Sequence, residues 1–312
     1  SFLMAVSSWY TVLSRTAFRA NLIPLFAGLT FYFLLCVYQS KDRKRYLFSI
    51  LTGAVFALGF YTYIAYRVLV PIIAVLIIWP WLANGFLGQI KKYWKQFLLF
   101  TISFFIFIYP LAKYFYTHSG SFVGRSGQVS VFNPELNGGN LPGAIWEVSK
   151  QSILAYFTQG DLNWRHNISG FPFLSQLVSP FFGIALIIIT ILAVWYIFAP
   201  KKRAGYWKYC LLAGWFWGML IPVVTTAEGI PHGLRSIGTI PTVFIISALG
   251  LYWFGEMALK IHNKIWQRFA VIKNDDIYEK PAKPMGMRIV NFSFKLLLIL
   301  FCAALVFQTY YL

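Results

Sequence analysis

The chain contains a series of apolar runs, each long enough to cross a lipid bilayer as a helix. Apolar residues make up 59% of the 312 residues and charged residues only 12%, whereas a soluble domain has about a quarter charged residues. About 20 apolar residues span a bilayer, and lipid offers backbone groups no partner, so each run should be helical. The sequence predicts an all-α, polytopic membrane helical bundle. Eight spans are expected, at about residues 22–38, 46–63, 68–84, 97–115, 176–199, 208–225, 241–259 and 291–312.

The basic residues lie in four blocks that predict the orientation of the chain. Neighbouring blocks are separated by two predicted spans, so all four lie on one face, and the positive-inside rule makes that face cytoplasmic. The net charge of +18 then reflects orientation in the membrane, and no nucleic-acid partner is expected. The blocks are Lys41, Arg43, Lys44 and Arg45; Lys91, Lys92 and Lys95; Lys201, Lys202, Arg203 and Lys208; and Lys260, Lys264, Arg268, Lys273, Lys280, Lys283 and Arg288.

We treat residues 1–312 as one domain, with one larger non-cytoplasmic loop at 116–175. In this loop "QVSVF" indicates a short strand, and "AIWEVSKQSILAYFTQG" predicts an amphipathic surface helix with Trp146 and Tyr156 at the membrane interface. The other non-cytoplasmic segments are 7–21, 61–71 and 225–241. Residues 260–290 predict a flexible cytoplasmic linker.

The first residues predict that more chain precedes them. Ser1 is not an initiator Met, and "SFLMAVSSWY" is typical of the tail of an earlier span. We therefore expect the sequence to be an internal piece of a longer protein, with a partial span at its beginning.

Three non-cytoplasmic segments hold candidate binding residues. Arg67 lies in a short turn between two spans, where it would bind a phosphate or carboxylate. The alternatives are that it extends to the lipid headgroups or makes a structural bond to backbone carbonyls. In "GDLNWRHN", Asp161, Arg165 and His166 would hold a polar substrate, or Asp161 would only cap a turn. In "AEGIPHGLRSIGTIP", Glu228, His232 and Arg235 lie in an irregular loop. Such backbone at a membrane is tolerated where it lines a cavity, although an ordinary interfacial loop is the alternative.

Metal sites and disulfides are not expected. The three histidines of the non-cytoplasmic face, His118, His166 and His232, have no local ligand spacing. The three cysteines fall in or beside predicted spans and form no framework.

Five stretches in order carry a family resemblance: "SSWYTVLSRTAFRAN", "GLTFYFLL", "ALGFYTYIAYRVLVP", "YFTQGDLNWRHNISGFPFL" and "IPVVTTAEGIPHGLRSIGTIP". Over residues 1 to about 255, the chain resembles bacterial C-type glycosyltransferases of the protein O-mannosyltransferase and aminoarabinose-transferase superfamily. The resemblance implies an inverting transferase that moves a sugar from a polyprenyl-phosphate carrier to a protein or glycolipid acceptor on the non-cytoplasmic face of a bacterial plasma membrane. No cofactor is expected.

The resemblance also assigns the candidate residues. Arg67, Arg165, His166, His232 and Arg235 would face the central cavity and hold the carrier phosphate or the sugar. The family's base is an acidic residue of the first external loop, and the first acidic residue here, Asp42, falls on the cytoplasmic face. No catalytic base is therefore named. The alternative function is a transporter or lipid flippase, although such proteins keep ionisable groups near mid-membrane.

Overall fold

The computed structural model describes residues 2–199, 204–273, 296 and 299–308. Every regular element in these ranges is a helix, which confirms the all-α prediction. Short 3-10 helices at Arg19–Asn21, Ile64–Val68, Ala204–Tyr206 and Arg235–Thr239 connect the longer ones. The α-helices are α1 (Phe2–Ala5), α2 (Ser8–Arg15), α3 (Leu22–Gln39), α4 (Lys44–Gly59), α5 (Leu69–Ala83), α6 (Phe86–Thr117), α7 (Gly120–Gln128), α8 (Pro134–Asn137), α9 (Leu141–Leu154), α10 (Ser179–Phe198), α11 (Trp207–Val224), α12 (Ile240–Lys273) and α13 (Ile299–Gln308).

Six helical segments of the described chain are long and apolar enough to cross a membrane, so the protein is a multi-pass membrane protein. They are Arg19–Gln39, Ile64–Ala83, Phe86–Thr117, Ser179–Phe198, Trp207–Val224 and Arg235–Ile265. The predicted second span corresponds to α4, which has 16 residues and at 1.5 Å per residue is about 24 Å long. The total of eight spans stays a prediction.

Two long helices differ from the predicted boundaries. Helix α6 has 32 residues and begins at Phe86 instead of residue 97, because the lysines before the apolar run are themselves good helix formers. Helix α12 continues to Lys273, so the first part of the predicted linker 260–290 is helical. The rest of that linker, and the predicted last span apart from 296 and 299–308, lie outside the described residues.

The helices pack as two groups that meet through α5. Helix α4 lies between α3 and α6, while α10 packs against α11 and α12, and α5 contacts α11. Glycines permit the closest approaches: a Cβ on Gly53 would collide with the Phe100 carbonyl of α6, and one on Gly250 with the Phe181 carbonyl of α10. Small residues of this kind are typical of helix contacts in membranes, where dispersion forces replace the hydrophobic effect.

One end of the bundle, here called the loop end, is formed by residues 7–21, 60–68, 118–178 and 225–239. Its segments are joined by backbone hydrogen bonds, from Val131 N to Thr225 O at 2.9 Å and from Ala227 N to Val129 O at 3.0 Å. The basic blocks of α4 and α6 lie at the other end of these helices. The segments predicted to be non-cytoplasmic therefore meet at one end of the fold.

The long loop at 116–175 is more helical than the sequence predicts. Its Gly- and Ser-rich start forms α7, and "QVSVF" contributes only an isolated bridge between Ser130 and Thr226. The surface helix is present as α9, with Trp146 71% exposed. Tyr156, predicted at the membrane interface, is instead 1% exposed and its hydroxyl shares a hydrogen bond of 2.8 Å with Thr239 Oγ1.

Candidate functional site

The centre of the loop end is a buried carboxylate, Asp161, in a tight loop between α9 and α10. The loop is closed by backbone hydrogen bonds from Gly160 N to Gly170 O and from Gly170 N to Asp161 O. Asp161 is only 5% exposed. Its Oδ1 accepts a hydrogen bond of 2.8 Å from Asn163 N, which is the turn-capping contact that the sequence offered as the alternative to function.

The second carboxylate oxygen of Asp161 joins two loops that are distant in sequence. Oδ2 accepts hydrogen bonds from His166 Nδ1 at 2.8 Å and from Gly233 N at 2.7 Å. Gly233 follows His232, whose Nδ1 lies 3.9 Å from the same oxygen. The carboxylate thus fixes the position of the 229–236 loop against the 160–170 loop.

His166 and His232 lie side by side above Asp161. Their ring centroids are 4.7 Å apart with an interplanar angle of 23°, and the ring of Phe18 meets the edge of His166 at 5.6 Å. His166 is 7% exposed. Because a carboxylate only accepts hydrogen bonds, His166 Nδ1 carries the proton, and in the neutral imidazole Nε2 is left as an acceptor.

The hydrogen bonds to Asp161 determine its charge state. Burial alone would raise the pKa of this carboxyl. The hydrogen bonds from His166, Asn163 N and Gly233 N, together with the positive charge available on His166, outweigh burial and lower the pKa below its ordinary value. Asp161 is therefore an anion at neutral pH. With three donors already bound to it, it is better suited to orienting His166 than to accepting a proton itself.

Two buried polar atoms near this cluster have no hydrogen-bond partner, namely Trp9 Nε1 and Asn167 Oδ1. A Cβ on Gly233 would lie 3.3 Å from both Trp9 Nε1 and His166 Cβ, so the indole nitrogen lies beside Gly233 and His166. Unpaired buried donors are rare. In the sequence, Trp9 belongs to the apolar stretch "SFLMAVSSWY", and no local pattern marks it as a site residue.

Three exposed arginines belong to the loop end: Arg15, Arg19 and Arg165. Arg19 is adjacent in sequence to Phe18, and Arg165 to His166, so the Phe18–His166 contact brings their backbones together. Within the described ranges, none of the three guanidinium groups has a carboxylate within ion-pair distance. The loop end therefore carries positive charge that no carboxylate of the described residues pairs with. Of these three, only Arg165 was predicted from the sequence to bind substrate.

The other predicted binding residues make structural contacts. The guanidinium of Arg67 donates a hydrogen bond of 2.9 Å to Phe122 O and lies 4.2 Å and 5.2 Å from the ring centres of Phe122 and Phe115. Arg235 donates to Glu228 O at 2.6 Å and lies 3.7 Å from Glu228 Oε2. Arg67 thus holds α7 against α6, and the Glu228–Arg235 pair closes its own loop.

An open crevice runs from the same loop toward the bundle. Its walls are mainly apolar. Its lining comes from the start of the chain, from residues 168–178, and from α12 and α13, with Val6, Ile168, Phe171, Phe244 and Leu305 among the lining residues. The charged cluster does not line the crevice, although the 160–178 segment contributes to both.

The cluster also brings together the ligand types of a metal site. One potential ligand atom from each of Asp161, His166 and His232 lies within 4.8 Å of those of the other two. The sequence predicted no metal site because the histidines are far apart along the chain, and the structure shows that two of them are neighbours in space.

Comparison with known proteins found no match. No protein-family model, no curated protein and no solved structure matches this chain.

Proposed function

We propose that the protein is an integral-membrane glycosyltransferase that moves a sugar, with inversion, from a polyprenyl-phosphate carrier to a protein or glycolipid acceptor at the loop end. The observation that carries this proposal is the group of exposed arginines at the loop end, Arg15, Arg19 and Arg165. Arg19 and Arg165 adjoin the Phe18–His166 contact beside Asp161. In a chain with only 12% charged residues, a group of exposed arginines at one end of the bundle favours an anionic ligand there.

A phosphate attached to a polyprenol fits this arrangement. Guanidinium groups bind phosphate oxygens in a bidentate manner, and fixed cations stabilise the negative charge that grows on a phosphate leaving group. The apolar crevice that begins at residues 168–178 offers a surface for the prenyl chain beside the charged group. His166, oriented by Asp161, and the exposed Trp164 would contact the sugar.

The alternative, a transporter or lipid flippase, is less well supported by the distribution of polar groups. The buried carboxylate and the buried imidazole of the described chain, Asp161 and His166, both lie at the loop end. Transporters usually hold such groups near the middle of the bilayer. An enzyme supplied with a lipid substrate from the side needs them at one surface only.

The first experiment compares lipid binding by the purified protein in nanodiscs. We expect C55 polyprenyl phosphate to bind at least tenfold more tightly than the uncharged polyprenol, measured by native mass spectrometry. Arg165→Ala should remove most of that difference. Arg43→Ala, which removes an exposed arginine from the opposite end of the bundle, is the matched control and should change nothing. Equal binding of the two lipids would contradict the proposal.

A second experiment tests transfer and separates the two candidate functions. Membranes containing the protein are supplied with a radiolabelled sugar on polyprenyl phosphate, and label is followed into protein and glycolipid. Losing one phosphate contact in Arg165→Ala should lower the rate on the order of 10²-fold, as removal of a preorganised donor does elsewhere. A flippase would move the labelled lipid across the bilayer without consuming it.

A further inference from the structure

The side chains of Asp161, His166 and His232 converge on one point between two loops. His166 Nδ1 is 2.8 Å and His232 Nδ1 3.9 Å from the same oxygen, Asp161 Oδ2. One carboxylate and two imidazoles are a common ligand set for first-row divalent metals, which prefer nitrogen and carboxylate donors. We propose that these three residues bind one such ion, with Zn²⁺ as the cation to test.

The observed separations are close to those of a loaded site. Zinc lies about 2.0–2.2 Å from nitrogen and oxygen ligands, so two ligands of one ion are about 3–3.5 Å apart. The distances of 2.8 Å and 3.9 Å lie on either side of this range. One potential ligand atom of each residue lies within 4.8 Å of those of the other two, so side-chain rotations that shorten the widest separation would bring all three groups to bonding distance.

The metal would replace the proton that now lies between His166 Nδ1 and Asp161 Oδ2. His166 would then hold its proton on Nε2 and bind the ion through the Nδ1 lone pair. The hydrogen bonds from Gly233 N and Asn163 N to Asp161 need not break, because a carboxylate has about four acceptor positions. Such contacts to a ligand's carboxylate normally orient it and support its affinity for metal.

The unpaired indole of Trp9 is an independent sign that a group is missing from this site. Trp9 is fully buried, and its Nε1, which lies beside His166 and Gly233, has no hydrogen-bond partner. Zinc held by three protein ligands keeps a water or hydroxide in the fourth position. That oxygen would accept the Trp9 hydrogen bond.

The ligand set also disfavours Mg²⁺ and Ca²⁺. Mg²⁺ and Ca²⁺ prefer sites made mainly of oxygen atoms, and this cluster offers two imidazoles with one carboxylate. The inference goes beyond the proposed transferase function and does not depend on it, because it rests only on the geometry of the three side chains and Trp9.

The test is a zinc-binding measurement on the protein purified in detergent through a tag that contains no histidine. After treatment with a chelator and its removal, Zn²⁺ is titrated against a chromophoric competitor, and bound metal is counted by mass spectrometry. We expect one Zn²⁺ per chain and a rise in the melting temperature. Co²⁺ should give the visible absorption of a low-coordinate site.

Variants then assign the site. His232→Ala leaves the hydrogen bonds of Asp161 to His166 and Gly233 in place, so its metal-free melting temperature should remain near that of the wild type, while zinc affinity falls at least tenfold. His166→Gln, which keeps a donor toward Asp161, should behave in the same way. His118→Ala removes an exposed histidine from the same end of the bundle and is the matched control that keeps zinc.

Two results would overturn the inference. One is the absence of stoichiometric zinc from the wild-type protein at micromolar concentrations. The other is full retention of zinc by His232→Ala and His166→Gln, which would place the ion elsewhere. Either result leaves the polyprenyl-phosphate binding measurement unaffected, so the failure of one proposal is distinguishable from the failure of the other.

Discussion

Asp161 is the residue on which the loop end depends most. It accepts three hydrogen bonds, and two of these come from His166 in its own loop and from Gly233 in the loop after α11. Hydrogen bonds to a buried charge are stronger than neutral ones. Removing the carboxylate would leave three donors unsatisfied in a water-poor site, which costs more than the loss of a surface ion pair.

We therefore expect Asp161→Ala to destabilise the protein by about 3–5 kcal/mol, as breaking a buried pair does in other proteins. Thermal unfolding in detergent measures the change. Glu147→Ala is the matched control, because Glu147 is an exposed acid of the same 116–175 loop and makes only a weak ion pair, with 3.8 Å between its Oε2 and Lys150 Nζ. Its loss should change the free energy of unfolding by less than about 0.5 kcal/mol. Equal effects of the two substitutions would show that Asp161 does not join the loops.

The pH dependence of stability follows from the lowered pKa of Asp161. Its folded-state pKa is below the ordinary value of 3.8, so the stabilisation is fully present above that value and is lost as pH falls through the folded-state pKa. The melting temperature of the wild type should thus fall more steeply below about pH 4 than that of Asp161→Asn. Parallel curves for the two proteins would contradict this assignment.

At the scale of single elements, the bundle depends on glycines where helices touch. Gly53 of α4 lies against the backbone of α6. A Cβ placed on Gly53 would collide with the Phe100 carbonyl oxygen and would lie 3.0 Å from Ser103 Cβ. A backbone carbonyl within a helix cannot move aside. Helices α3, α4 and α6 consequently form one packed group, whose position fixes the 60–68 segment at the loop end.

Gly53→Ala should therefore destabilise the protein by about 1–3 kcal/mol through overpacking, although alanine is the better helix former. Gly28→Ala is the matched control: Gly28 also lies within a helix, α3, and a Cβ there would meet nothing within 4 Å. That substitution should be neutral or slightly stabilising. The comparison of melting temperatures is decisive, since a stable Gly53→Ala protein would mean that α4 and α6 are farther apart.

For the whole molecule, the important property is that opposite ends of the bundle differ in charge and chemistry. The blocks containing Arg43 and Lys92 lie at one end, and the loops that hold Asp161 and His232 lie at the other. The positive-inside rule predicts that the first end faces the cytoplasm. The proposed substrate would then be used on the non-cytoplasmic face.

Cysteine labelling tests this orientation. With Cys36, Cys210 and Cys302 replaced by serine, Ser119→Cys and Lys150→Cys at the loop end should react with a membrane-impermeant maleimide in intact cells. Arg43→Cys, at the basic end, should react only after the membrane is permeabilised. All three substituted positions are exposed, so lack of access would come from the membrane. The reverse pattern would invert the topology.

The sequence alone was sufficient for the fold class, and for the segments in which the site lies. Inside a bilayer, these apolar runs can hydrogen-bond their backbone N–H and C=O groups by forming helices. Composition and run length therefore predict an all-α membrane bundle. Polar residues that interrupt such a chain are costly, and for that reason "GDLNWRHN" and "AEGIPHGLRSIGTIP" could be selected without a structure.

Only the tertiary structure decided which of those residues act together. The bond between Asp161 and Gly233 joins positions 72 residues apart, and no local pattern encodes a contact that depends on how α9, α10 and α11 pack. The same packing turns Arg67 toward Phe122 and brings the indole of Trp9 beside the histidines. Hydropathy and spacing describe each segment by itself, whereas the cluster exists because helices distant in sequence bring two loops to one point.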